Sequence, residues 1–275
     1  MTETRESEGG DVRERGESTH GGSNAQRRGA GRPRRRVLSR ELILETALRM
    51  IDEQGEAGAG MRAVAHALGV RPSSLYNHVA SRSDLIAGVR ELISDRIDVE
   101  CFEQMPWDRA LERWADSYRA AFAAHPPTIA LLATTPLTAA SRTSLMYDAV
   151  VSALVRAGWP EARALSVIVA VESFLLGAAL DAAAAADMLD PGPRADVPAF
   201  SAGYAARDRA LAAAGERPAD AAYRLGLTAM IAGLRIELSA RSEADPALVD
   251  RGSGRGRGSR GFGDADPAAS ARPRR

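Results

Sequence analysis

Apolar residues recur every three to four positions along most of this chain. No stretch alternates apolar and polar residues with period two, so the pattern predicts an all-α protein. The most informative segment is 61–79. Val64 and Leu68 share one helical face, and small Ala65 allows a second helix to approach. Gly69 stands where the chain must turn, and Val70 plugs the corner. Leu75 and Val79 then resume helical spacing and can pack back onto Val64 and Leu68. This predicts two short helices around a tight turn, with Arg71, Ser73, Ser74, Asn77 and His78 on the outer flank. Those side chains suit base edges and phosphates. Arg71 is the best candidate for a guanine contact and Asn77 for an adenine contact. Pro72 pre-sets helical φ at the start of the second helix, so its free N–H groups point outward toward phosphate.

Other helices are marked by their caps and stops. Ser39 is the expected N-cap of a first helix, with Glu41 in its first turn, Leu42, Ala47, Leu48 and Ile51 inside, and Gly55 at its end. Ser81 and Asp84 resemble a capping box that opens a fourth helix through Leu85, Val89, Leu92, Ile93 and Ile97. These four helices form an expected head, 37–103. A body, 104–240, follows. Its first stripe is Trp107, Leu111, Trp114, Tyr118, Phe122 and His125, stopped by Pro126 and Pro127. Shorter helices are expected at 128–134 and 139–157. Gly158, Trp159 and Pro160 read as a stop followed by a start, opening a long helix over about 160–187. A weaker helix near 200–213 and a last one from Pro218 to about 240 complete the body.

Two of these helices carry seams of small residues: Ser166, Ala170, Ser173 and Gly177, then Ala222, Gly226, Ala229 and Gly233. Such seams let helix backbones approach closely. They predict a four-helix bundle between two copies of the chain, or close packing of the two helices within one. The homodimer is the favoured expectation, because a reader of palindromic DNA needs two heads.

Composition adds a compartment and a charge distribution. The 275 residues have zero formal net charge, and every basic residue is Arg; there is no Lys. Ala, Gly and Arg rise together, which reads first as coding bias. The charge is nevertheless uneven. Residues 27–40 hold Arg27, Arg28, Arg32, Arg34, Arg35, Arg36 and Arg40 with no acid. An Arg arm beside a DNA-binding head suits a narrow minor groove. Residues 1–36 are expected to be disordered apart from this basic end, and 241–275 to form a disordered Arg/Gly-rich tail. The single Cys101 excludes an intramolecular disulfide, and its simplest role is a small core residue. The N-terminus is acidic and hydrophilic, without a secretory signal, so a cytoplasmic protein is expected. The most apolar run, 164–180, carries Glu172 at its middle. A carboxylate there costs a few kcal/mol in a bilayer, so a buried helix is expected and no membrane partner.

The motif residues also resemble a known family. Leu68-Gly69-Val70, then Leu75-Tyr76-Asn77-His78-Val79 and Arg82-Ser83-Asp84-Leu85-Ile86, are similar to the DNA-binding head of the tetracycline-repressor (TetR) family. The resemblance continues more weakly to residue 240, with 170–177 similar to the long dimerisation helix and 225–234 to the last helix. It implies an all-helical homodimer that acts as a repressor released from a palindromic operator by a small molecule. Carried over by position, Arg62, Arg71, Ser73, Ser74, Asn77 and His78 face the major groove, while Tyr76 and Arg82 hold phosphates. Two departures stand out. Gly60 occupies a position where Ser or Thr is frequent. The segment 130–136 also lacks the His that ligates the metal–drug complex in true tetracycline repressors, which argues against tetracycline with magnesium as effector.

An effector site is expected within 100–190. Glu172 lies within about 60° of Leu165, Ile168, Val169, Leu176 and Ala179 on a helical wheel, and some 130° from the seam. A buried carboxylate is unfavourable by several kcal/mol unless paired. Either an internal Arg or a ligand cation or hydroxyl would pair it. Trp114, Tyr118 and His125 are candidates for the same cavity, with Thr134, Thr135, Tyr147 and Phe174 as weaker ones; the aromatic stripe reads first as core and only second as cavity lining. Neither a metal site nor a cofactor is expected. His20, His66, His78 and His125 are scattered, and nothing places a nucleophile beside His125 and Glu172, so no enzymatic activity is expected. The rival to a ligand-responsive regulator is a helical protein that binds small molecules, or an architectural DNA binder without specific operator recognition.

Overall fold

The computed structural model describes residues 38–137, 141–192 and 194–244. The arm residues Arg34, Arg35 and Arg36, the tails 1–36 and 245–275, and the first residues of the expected 139–157 helix lie outside them. Among the described residues there is no strand.

The head begins with α1 (Arg40–Gln54). The Ser39 hydroxyl accepts from the Leu42 N–H at 3.1 Å, and Gly55 closes the helix with φ 64°. A 3-10 turn (Gly55–Ala59) follows and folds against the last turns of α1. Then come α2 (Met61–Ala67), α3 (Pro72–Leu75) and α4 (Arg82–Ser94). The N-cap half of the expected capping box at α4 is formed, while the Asp84 carboxylate reaches one residue further back than the box requires. The Ser81 hydroxyl accepts from the Asp84 N–H at 3.1 Å, and the Asp84 carboxylate accepts from the Ala80 N–H at 2.8 Å.

The body contains α5 (Cys101–Gln104), α6 (Trp107–Ala123), α7 (Thr128–Ala133) and α8 (Arg142–Arg156). It continues with α9 (Glu161–Ala182), α10 (Pro198–Ala214) and α11 (Pro218–Ala244). α9 is the hub, packed on α6, α8 and α11. α4 is shared: it packs on α1 in the head and on α6 and α8 in the body. Cys101 is buried, and burial pushes its thiol up to about 11.

Several boundaries differ from the pattern. α4 ends at Ser94, although Ile97 remains buried. α9 stops at Ala182 rather than near 187, because the run 182–186 has no buried side chain to hold it on the body. The 3-10 turn and α5 have no helical period long enough to read.

By length and apolar composition α9 is the one helix among the described residues able to cross a membrane. In the fold it lies against three other helices, and Glu172 on it is buried. Its remaining apolar face is not covered by the described residues: Leu165, Val169 and Leu180 are exposed. α11 is similar, with Leu225 74% and Ile236 71% exposed.

Candidate nucleic-acid interface and internal cavity

The turn of the motif is closed by backbone bonds. The Gly69 N–H donates to the His66 carbonyl and the Val70 N–H to that of Ala65, both at 3.0 Å, while Gly69 takes φ 66°. That left-handed conformation suits glycine. After α3 the backbone continues one more turn, with the Val79 N–H donating to the Leu75 carbonyl at 2.9 Å. Leu75 and Val79 are buried in the same apolar cluster as Val64, and Leu68 and Val70 pack against it. The inner flank is thereby fixed.

The outer flank is free of packing. Arg62, Arg71, Pro72, Ser73, Tyr76 and Asn77 are exposed, and Ser74 and His78 are half-buried. Tyr76 keeps 55% of its surface in solvent, although it is a large ring beside a core. Arg82 is exposed but engaged, donating to the Glu56 carboxylate at 2.8 Å. The recognition segment is held in place by Arg40, a residue the pattern placed only in the basic run. Its guanidinium donates to the His78 carbonyl at 2.9 Å and to both Asp84 oxygens at 2.7 and 3.1 Å. This ties the starts of α1 and α4 to the end of the recognition turn. The Arg40 hydrogen bond holds the Asp84 carboxyl below the usual carboxylate range.

In the body, a cavity of about 320 Å³ lies among α4, α6, α7, α8 and α9. Tyr118, Thr135, Tyr147 and Glu172 line it, together with Arg90, Phe122, Leu132 and Ser173. A larger cleft of about 550 Å³ runs along α4 and α8, but its walls include the exposed charges Asp95, Arg96, Glu100 and Arg142. The smaller cavity is the better enclosed ligand site, since apolar and aromatic walls dominate it. Glu172 is 8% exposed, and among the described residues it has no cationic partner. Instead the Tyr147 hydroxyl donates to both carboxylate oxygens, each at 2.9 Å. Burial pushes the Glu172 carboxyl above its ordinary range against the opposing effect of the Tyr147 and Tyr118 hydroxyls. Burial likewise raises both tyrosines. The internal Glu172–Arg pair considered from the sequence is therefore replaced by tyrosine hydroxyls.

Other candidates sit elsewhere. Trp114 is fully buried between Phe102 and Tyr118, with ring centroids at 6.5 and 5.1 Å. Phe174 stacks on Tyr223 at 6.0 Å and lies over Gly226. The Thr134 hydroxyl donates to helix carbonyls at the exposed end of α7. His125 bridges head and body. Its ring nitrogens meet Asp52 at 2.8 Å and Arg96 at 2.7 Å. Arginine only donates, so Nε2 accepts and Nδ1–H donates to Asp52.

Arg90 was missed. It lines the cavity and is 7% exposed. It donates to the Leu132 carbonyl at 2.6 Å, the Pro136 carbonyl at 3.2 Å and the Thr135 carbonyl, all at the end of α7. Its signal was present: Ile86, Arg90, Ile93 and Ile97 are spaced four, three, four, so an arginine stands on an apolar stripe. Below it, Glu91 accepts from the Thr143 hydroxyl at 3.0 Å and from the Arg142 N–H at 2.6 Å. Among the described residues no group of three or more His, Cys, Asp or Glu side chains converges to hold a metal ion.

A short recognition turn braced from behind, joined through one shared helix to a cavity-bearing helical body, defines the helix-turn-helix class of regulator. The family description for bacterial regulatory proteins of the tetR family matches residues 43–89, and that for the tetracyclin repressor-like C-terminal domain matches 103–238. The chain belongs to the tetracycline-repressor (TetR) family. A helix-turn-helix transcriptional regulator of Saccharopolyspora erythraea is 25% identical over 144 residues, 51% of this chain and 59% of that protein. The chain thus spans little more than half the length of that curated relative. A possible TetR-family regulator of Streptomyces coelicolor is 26% identical at TM-score 0.54, covering 72% of this chain and 99% of its own. The TetR-family protein ActR of the same organism, solved with actinorhodin, is 22% identical at TM-score 0.55, covering 72% of this chain and 96% of its own.

Proposed function

We propose that this protein is a sequence-specific DNA-binding transcriptional regulator, a homodimeric repressor released from a palindromic operator by a small molecule. The observation that carries this reading is the braced recognition turn, whose outer flank of Arg71, Ser73, Tyr76 and Asn77 is polar, exposed and unpacked. A merely structural helix pair would not leave so continuous a set of base-reading side chains bare. The ligand seen with ActR supports a small-molecule effector for this chain as well. The segment 130–136 has no imidazole, so tetracycline with magnesium is a poor fit. A cytoplasmic location and the absence of catalysis belong to the same reading.

A ligand in the cavity touches Arg90 and Ser94 of α4, and Ile97 just beyond it, directly. Any difference in its fit between two positions of α4 becomes a difference in head placement. The size of the shift is limited by that difference in affinity. The test is a gel shift with DNA flanking the protein's own gene. Arg71→Ala and Asn77→Ala are each expected to weaken specific binding by about 1–3 kcal/mol while sparing non-specific binding. Sequence-blind, salt-sensitive binding unchanged in both variants would point to the architectural alternative.

The dimer has its own support. Ser166, Ala170, Ser173 and Gly177 on α9, and Ala222, Ala229 and Gly233 on α11, are exposed beside Leu165, Val169, Leu225 and Ile236. Gly226 differs: a Cβ there would stand 2.5 Å from Phe174 Cε2, so it serves packing within the chain. A Cβ at Gly177 or Gly233 meets nothing within 4 Å. In a lone chain the first side-chain atom at either position therefore enters open space, whereas in a close four-helix seam Gly177→Leu and Gly233→Leu separate the subunits. Sedimentation is expected to show a wild-type dimer and a monomeric double variant. A monomeric wild type removes the dimer from the reading.

A further inference from the structure

Among the described residues Glu172 has hydrogen-bond donors but no ion-pair partner. Both of its oxygens accept from the Tyr147 hydroxyl, and the Tyr118 hydroxyl also stabilises the charged form. Neutral donors are thus already supplied by the chain, and a further hydroxyl would add little. What the carboxylate lacks is a counter-charge, and a buried carboxylate without one is unfavourable. The cation that lines the same cavity, Arg90, is turned onto the carbonyls of Leu132, Thr135 and Pro136. The walls beside Glu172 are aromatic: Tyr118 and Phe122 stack at 4.8 Å, and Tyr147 closes from α8. Aromatic faces around a carboxylate favour a cation over a neutral or anionic group. Ile129, Leu132, Met146 and Leu176 leave the rest of the space apolar.

Resting on the effector reading above, we infer that the cavity selects an amphiphilic amine. Its ammonium pairs with Glu172 against the Tyr118 and Tyr147 rings, and its apolar or aromatic body fills the remainder of about 320 Å³. The groups that face Glu172 from neighbouring elements are Tyr118 on α6, Tyr147 on α8 and Arg90 on α4. Burial raises both tyrosines, and it raises Glu172 above the usual carboxylate range, so Glu172 is the one of these groups that takes up a proton on acidification. Protonation removes the negative charge, so preference for the cation falls as pH drops.

The test is calorimetric titration of the full chain with three isosteric probes: naphthylethylammonium, naphthylethanol and naphthylacetate. The ammonium is expected to bind about tenfold or more tighter than the alcohol, and the acetate weakest. In Glu172→Gln the ammonium and alcohol converge to within about twofold. In Tyr147→Phe, which keeps the carboxylate, the preference persists. If Glu172→Gln does not fold, the loss of preference on acidifying the wild type gives the same answer. Equal binding of ammonium and alcohol by the wild type, tighter binding of the acetate, or no binding of any probe overturns the inference. The gel shift run in parallel separates the two readings. DNA release by the alcohol or acetate alone retains the effector and overturns the amine. A cation preference in a chain that binds no DNA retains the amine site and overturns the regulator.

Discussion

Gly58→Ala destabilises the protein by about 3 kcal/mol, at the upper end of what added volume in a packed core costs. Gly58 is buried in the 3-10 turn that follows α1, and a Cβ there would lie 2.2 Å from the Met50 carbonyl oxygen and 2.8 Å from the Ile51 nitrogen. These are backbone atoms of α1, so no side chain can rotate away, and either the turn or the helix must move. Movement of that turn loosens Ala59, which is fully buried at the entry to α2. For a chain of this size the melting temperature is expected to fall by roughly 6–12 °C. Gly203→Ala is the matched control. Gly203 lies exposed in α10 with nothing within 4 Å of a Cβ, so alanine there leaves the melting temperature equal or slightly raised. A Gly58→Ala protein that melts with the wild type would mean that the turn is not pressed onto α1 as described.

What the sequence made legible were local signals with a local cause. Ser39, Gly55, Ser81 and Asp84 cap helices through bonds to their own neighbours, so their roles follow from spacing alone. The motif was legible for the same reason, since Val64, Leu75 and Val79 brace a turn only a few residues long. The cavity was less so. Trp114, Tyr118, Phe122 and His125 share a stripe, but a stripe specifies a face and not a depth. Eleven residues advance about 16 Å along a helix, so the ends of the stripe meet different neighbours. Trp114 is packed with Phe102, whereas His125 lies beyond the end of α6 and reaches Asp52 on α1. Only Tyr118 and Phe122, between them, line the cavity. Ser173 shows the same limit from the other side. It belongs to the exposed seam yet also borders the cavity, because a cavity has width and a helical wheel gives only an angle.

Arg90→Met is expected to lower stability by about 3 kcal/mol, and the loss should appear first in α7. Methionine fills the same apolar stripe on α4, so packing is largely kept and the change isolates the guanidinium. Without it the carbonyls of Thr135 and Pro136 lose this donor, while that of Leu132 keeps the Thr135 N–H at 3.2 Å. Each buried acceptor left without a partner costs about 1–3 kcal/mol, less where water can enter. Burial lowers the Arg90 pKa, opposed by the nearby Tyr147 and the Glu91 carboxylate; the direct partners of its guanidinium are the carbonyls at the end of α7. Removing the side chain therefore removes both a desolvated cation and the tie between α4 and α7, and the net loss is smaller than the sum of three bonds. Hydrogen exchange is expected to quicken over 128–137 while the head amides of α1 keep their protection, and the melting temperature falls by roughly 6–12 °C. Arg90→Lys lies between, because one ammonium keeps the charge but lacks the planar fork that reaches several carbonyls at once. Wild-type exchange in the methionine variant would show that α4 and α7 are not energetically joined through Arg90. A ligand's grip on the cavity would then have to reach the head by α8 and the Glu91–Thr143 bond instead.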